Sequence, residues 1–164
     1  MAAAGLRLRP AKTRDLAALS ELYAQMRAPE LAPVPWSPER KAAFLASQFA
    51  LQHRHFTQTD PASDFWIVER DGVLAGRLYA DRKGRAWRLP EIMLAAAARG
   101  QGCGTALIRW LQADALSAGA RTVDLHVLIA NPRVGALYAR LGFVDVETDS
   151  PTHRGMRWTA EPAA

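Results

Sequence analysis

Apolar and polar residues alternate from Leu6 to Arg9. From residue 16 the apolar positions switch to a three- and four-residue spacing through Leu16, Leu19, Leu22, Tyr23 and Met26. Alternation puts every second side chain on one face of a strand, and the wider spacing draws a stripe along a helix. The chain therefore opens as a short strand, a turn marked by Pro10, Thr13 and Asp15, and an amphipathic helix. Four prolines between Ala28 and Pro38 predict a loop, and Ser37 with Pro38 caps a second helix over about Glu39 to His55. After a break at Asp60, Pro61 and Ser63, strand patterns run over Phe65–Glu69, Val73–Ala80 and Ala86–Leu94. The first two are joined by the tight Asp71-Gly72 turn and the next two by a turn centred on Gly84. Helical spacing returns at Thr105, with Leu107, Leu111, Ala115 and Ala118 on one face and Gly119 as its stop. Alternation over Val123–Ile129, a short helix through Val134, Leu137, Tyr138 and Leu141 that ends at Gly142, and strands at Phe143–Glu147 and Gly155–Thr159 complete the order β-α-α-β-β-β-α-β-α-β-β.

A chain of 164 residues with 49% apolar content builds one sizeable core, so we expect one domain over 1–164, with flexible tails at 1–5 and 160–164. The formal charge of +5 comes from arginines scattered from Arg7 to Arg157. Scattered charge is weak evidence for nucleic acid binding, which favours a basic stripe interleaved with aromatics, and it suits a small anionic ligand equally well. One cysteine, Cys103, excludes an internal disulfide and a multi-cysteine metal site. No stretch reads as a signal peptide or a membrane span, and the expected location is the cytoplasm. His53 and His55 lack the i, i+4 spacing of a helical metal pair, and with Arg54 they read as a solvated face. No metal is expected.

The chemistry concentrates in Pro90 to Leu116. An apolar strand ending near Leu94 meets the turn Arg99-Gly100-Gln101-Gly102-Cys103-Gly104, and a helix follows. The first N–H groups of a helix lack intrahelical partners and carry the positive end of its dipole, so this grammar binds phosphate. A nucleotide P-loop is excluded because no lysine follows Gly104, and a dinucleotide fingerprint is excluded because Leu107 stands where its third glycine belongs. Arg99, Gly102 and Gly104 satisfy Arg/Gln-x-x-Gly-x-Gly/Ala, which resembles the pyrophosphate loop of the GNAT superfamily of acyl-CoA-dependent N-acyltransferases. Asn131, Pro132, Leu137, Tyr138, Leu141, Gly142 and Phe143 resemble that family's second pattern. The chain departs from the family at Ala95–Ala98, where a proline and bulkier residues are common.

The resemblance implies an α/β (α+β) fold: a mixed, mainly antiparallel sheet splayed between strands 4 and 5 and flanked by about four helices. It implies acetyl-CoA as acyl donor. Gly100, Gln101, Gly102, Cys103, Gly104 and Thr105 would supply backbone donors to its pyrophosphate, Arg99 would add charge, and backbone at Ile92, Met93 and Leu94 would pair with the pantetheine arm. Asn131 corresponds to a family residue that contacts the cofactor, and it equally suits a helix cap. Tyr138 corresponds to the tyrosine facing the thioester sulfur, the general acid. Glu91, opposite in strand alternation to Ile92 and Leu94, is the first candidate base, with a solvated strand glutamate or a partner for Arg88 as its plain alternative. His126 is the second candidate base. Cys103 reads as an inward-packed residue. The stretch from Trp36 to Phe56, with Met156 and Trp158, would wall the acceptor side. The expected function is acetyl transfer to a primary amine by direct attack in a ternary complex. The alternatives are a catalytically silent acyl-CoA sensor and, more weakly, a basic nucleic-acid-binding domain. Splayed sheet edges would allow a homodimer.

Overall fold

The computed structural model describes residues 5–59, 61 and 63–160. In chain order the elements are β1 (Leu6–Pro10), α1 (Leu16–Arg27), α2 (Pro38–Thr59), β2 (Asp64–Arg70), β3 (Val73–Asp81), β4 (Ala86–Leu94), α3 (Cys103–Ser117), β5 (Thr122–Leu128), α4 (Pro132–Arg140), β6 (Val144–Val146) and β7 (His153–Thr159). This is the order the hydrophobic pattern predicts. Asp60 and the outer tail residues 1–4 and 161–164 lie outside the described residues. Ala160 is buried, and its amide donates to the Arg121 carbonyl. The second helix runs four residues past its expected end, because no breaker occurs before Pro61 and the Thr57 hydroxyl bonds back to the His53 carbonyl. The helix after the glycine turn starts two residues early, at Cys103.

The strands form one sheet in the order β1-β2-β3-β4-β5-β7-β6, antiparallel throughout except for the parallel pair β4–β5. Alternation sorts its side chains into two cores. Val68, Leu78, Trp87, Leu125 and Val127 pack under α3 and α4, while Ile67 and Met93 pack under α1 and α2 with Leu19, Leu22 and Phe49. Asp71 and Gly72 both take positive φ, at 52° and 81°, as a two-residue hairpin whose twist matches its strands requires. Arg82 ties the layers at one end of the sheet. It pairs with Asp64 on β2 and Asp114 on α3 while its guanidinium lies over the rings of Trp66 and Trp87.

Two features of the frame yield predictions. Gly76 faces β4 so closely that a Cβ would collide with the Met93 carbonyl oxygen and crowd Leu94. Gly76→Ala is therefore expected to cost about 2 kcal/mol, the range of an overpacked core, with thermal denaturation as the readout. An unchanged midpoint would mean the β3–β4 spacing relaxes freely. At the other edge, Arg9 bridges Asp15 and Glu69 at 2.8 and 2.6 Å, and Asp15 also accepts the Lys12 amide at 2.8 Å. The hydrogen bonds from Arg9 hold the Asp15 carboxyl down to about 2 from its ordinary 3.8. A carboxyl depressed in the folded state stabilises fully above its unfolded pKa and loses that contribution as pH falls through the folded one. Denaturant unfolding between pH 4 and pH 2 should show the loss, and Asp15→Asn should flatten the slope over that window.

Candidate active site

The strands β4 and β5 pair only from Ala86 opposite Thr122 to Leu89 opposite Leu125. The next residue, Pro90, has no N–H to continue a ladder. On the other side of β4 the register steps by one between the pairs Tyr79–Glu91 and Asp81–Arg88. An extra residue in β4 and a missing donor at the same place turn the strand away from β5 and open a gap. Beyond the step, the Ala95 amide donates to Ala75 on β3 and the Met93 carbonyl lies against Gly76. By antiparallel alternation, the backbone groups of Ile92 and Leu94 then turn toward the gap. The Leu94 carbonyl accepts Arg99 Nε at 2.9 Å, which agrees with that direction.

At the end of the gap the chain makes the glycine turn and enters α3. Gly100 and Gly102 have φ of 72° and 77°, with open space where a Cβ would stand, so the left-handed backbone leaves the approach to the helix N-terminus bare. A Cβ on Gly104 would lie 3.6 Å from Leu137 and 3.8 Å from Leu94, so the turn sits between α4 and the end of β4. Cys103 is buried in the core under α3, in line with the packed role expected of it. The first intrahelical acceptor is the Gly102 carbonyl, which receives the Ala106 amide at 2.9 Å. Arg99 folds back on Leu94 and the Met26 sulfur.

Tyr138, on α4, is buried against Phe143 with ring centroids 5.6 Å apart. Burial first, and then the charge of Glu91, push its phenol up to about 12. Glu91 and Tyr138 are thus within electrostatic reach of each other. Asn131 caps α4, its side chain accepting the Val134 amide at 3.3 Å. His126 is exposed opposite Gly155 on β7, and among the described residues no hydrogen bond or ion pair joins it to Glu91 or Tyr138.

The acceptor side differs most from the sequence reading. The ion-pair partner of Glu91 is Arg77 on β3, at 3.3 Å, whereas Arg88 pairs with Asp81 at 3.1 Å. His53 is half-buried, its ring stacked on Phe49 at 5.8 Å, while Arg54 and His55 are exposed. Burial, and then the charge of Arg77, push the His53 pKa down from its ordinary value. Met156 packs in the core under α3 and α4, on the other face of the sheet. Between α1 and α2 lies a pocket of about 250 Å³ lined by Tyr23, Arg27, Phe44, Leu45 and Gln48. Arg77 and Gln52 were missed by sequence reasoning. The one available signal was an arginine amid the otherwise apolar strand Val73–Ala80.

The sequence model of the acetyltransferase (GNAT) family matches residues 19–143. The chain belongs to that family. The matched span runs from α1 to Phe143 and takes in the gap, the glycine turn and Tyr138. Among solved structures, the PaiA N-acetyltransferase from Thermoplasma acidophilum in complex with coenzyme A superposes with a TM-score of 0.71 at 18% identity, over 94% of this chain and 99% of that one. An acetyltransferase from Thermus thermophilus gives 0.69 at 17% identity, over 94% and 97%. A chimera of the spermidine N-acetyltransferase SpeG from Vibrio cholerae with hSSAT gives 0.66 at 20%, over 94% and 95%. At these identities the likeness establishes the GNAT fold, including its single parallel junction at β4–β5. Among the described residues no helix is long and apolar enough to cross a membrane.

Proposed function

We propose that this GNAT protein transfers an acetyl group from acetyl-CoA to a primary amine by direct attack in a ternary complex. The observation that carries the reading is the gap between β4 and β5, which ends at the bare, glycine-lined N-terminus of α3. In this reading the pyrophosphate lies on the amides of Gly100, Gln101, Gly102, Cys103, Gly104 and Thr105. The pantetheine arm runs along β4 at Ile92, Met93 and Leu94, with Ile92 and Leu94 turning their backbone groups to it. Arg99 releases the Leu94 carbonyl and adds charge to the turn, and Asn131 caps α4 at the far lip of the gap.

The amine nitrogen attacks the thioester carbonyl carbon, the carbon–sulfur bond breaks and CoA departs as thiolate. Starting from an ammonium ion, the products are the amide, the CoA thiol and one proton released to solvent. Glu91 takes the amine proton directly or through water. His126 is the second base in this scheme, reached through water. A phenol near 12 is about 3.5 pK units above an ordinary thiol, so full proton transfer from Tyr138 to the thiolate is uphill by about 5 kcal/mol. Tyr138 therefore acts by donating a hydrogen bond to the thiolate, and solvent supplies the proton.

The test is acetyl-CoA-dependent release of CoA, followed with a thiol reagent, against pools of amino acids, polyamines, aminoglycosides and peptides. Release above a no-acceptor control in one pool supports transfer. Saturable acetyl-CoA binding with no release in any pool would replace the enzyme with a sensor.

A further inference from the structure

Under α2, on the sheet face that carries Ile67 and Met93, Arg77 is wholly buried at 0% exposure. Its Nη2 serves both Gln52 Oε1, at 2.6 Å, and Glu91 Oε2, at 3.3 Å. Among the described residues its Nε and Nη1 and His53 Nδ1 are enclosed and make no hydrogen bond, and the enclosed Tyr79 hydroxyl has only the Arg77 guanidinium beside it. Buried polar groups are nearly always paired, because one left unpaired loses its hydration without compensation. The faces of Phe49 and Tyr79, with ring centroids 5.7 and 5.0 Å from the guanidinium carbon, offset part of that cost for Arg77. They leave His53 Nδ1 unserved. An apolar side chain at position 77 would fill the space without the penalty, so packing alone does not account for a buried guanidinium ringed by orphaned groups. Gln52, His53 and Glu91 are the partly exposed members of the cluster and form its solvent side.

The charges are ordered. Glu91, on β4 beside the gap, is negative, and Arg77, one strand deeper, is positive. A polyamine brings positive charge only and meets a buried guanidinium with it. An amino acid brings an ammonium and a carboxylate on one carbon, the complement of this pair in the same order. We propose that the acceptor is a zwitterionic amino acid whose carboxylate takes the place of Gln52 Oε1 on Arg77 Nη2 as the partly exposed Gln52 side chain swings aside, and whose amine lies against Glu91. This rests on the acetyl-transfer reading and specifies its acceptor.

The test compares L-leucine, L-methionine and L-glutamate with their α-carboxamides, and with spermidine, on the unaltered chain. It reads both kcat/KM for acetyl transfer and calorimetric binding in the presence of CoA. At least one amino acid is expected to exceed its carboxamide by roughly 100-fold or more, since a site built to bond a polar group rejects the analogue lacking it. The discrimination should collapse in Arg77→Gln and partly persist in Arg77→Lys, with melting curves recorded for both. Should Arg77→Gln fail to fold, the ligand pairs on the unaltered chain still decide. Equal use of carboxamides, or preference for spermidine, would overturn the zwitterion subsite and leave acetyl transfer standing. Amino-acid binding with that discrimination but no transfer would support the subsite and overturn the transferase. Neither transfer nor discriminating binding would overturn the subsite.

Discussion

Replacing Gly102 with Asp is expected to weaken acetyl-CoA binding about 100-fold or more, while Gly102→Asn weakens it roughly tenfold or less. Gly102 has φ of 77° at the N-cap of α3, with nothing near the position of its missing Cβ. Asn and Asp are the side-chain-bearing residues that best tolerate this left-handed backbone, so the two variants share shape and strain and differ in one charge. A carboxylate about 5 Å from a phosphate near the surface costs about 3 kcal/mol at an effective dielectric constant of 20. That difference is what the pair of variants reads by calorimetric titration, and added salt should narrow it. Matched affinities for Asp and Asn would place the pyrophosphate elsewhere.

Tyr138→Phe should lower kcat roughly 10- to 100-fold, the worth of one hydrogen bond to a charged group, and leave KM for acetyl-CoA within about threefold. The ring stays packed on Phe143, so the melting temperature should hold. The pH profile separates hydrogen bonding from proton transfer. With the phenol pushed to about 12 by burial and Glu91, Tyr138 remains protonated through the assay range and adds no alkaline limb below about pH 11. An alkaline limb near pH 9 that vanished in the Phe variant would show the phenol titrating there and would restore it as a true acid.

The order of strands and helices was legible because each depends on neighbours in sequence. Asp71-Gly72 marks its own hairpin, Asn131-Pro132 its own cap, and the three alternating glycines after Arg99 their own turn. Pro90 was legible in principle, since a proline inside a strand signals a bulge or an edge, but the strand reads on across it from Ala86 to Leu94. The Arg77 cluster was not legible. Gln52, Arg77 and Glu91 lie on three different elements, and only the packing of α2 across β3 and β4 makes them neighbours. His53 was read as solvated because its own helix offers charged and aromatic residues on every side. The sheet beneath decides which of them is covered.

The lone sulfhydryl, sealed at the start of α3, has a practical consequence. A cysteine introduced at an exposed position on either lip of the gap, as in Ile129→Cys, would be the one thiol that a bulky dye can reach. Such a chain carries its label at a single known place without further engineering. The surroundings of that lip of the opening between β4 and β5 then become an optical observable, recorded with and without CoA in the same sample.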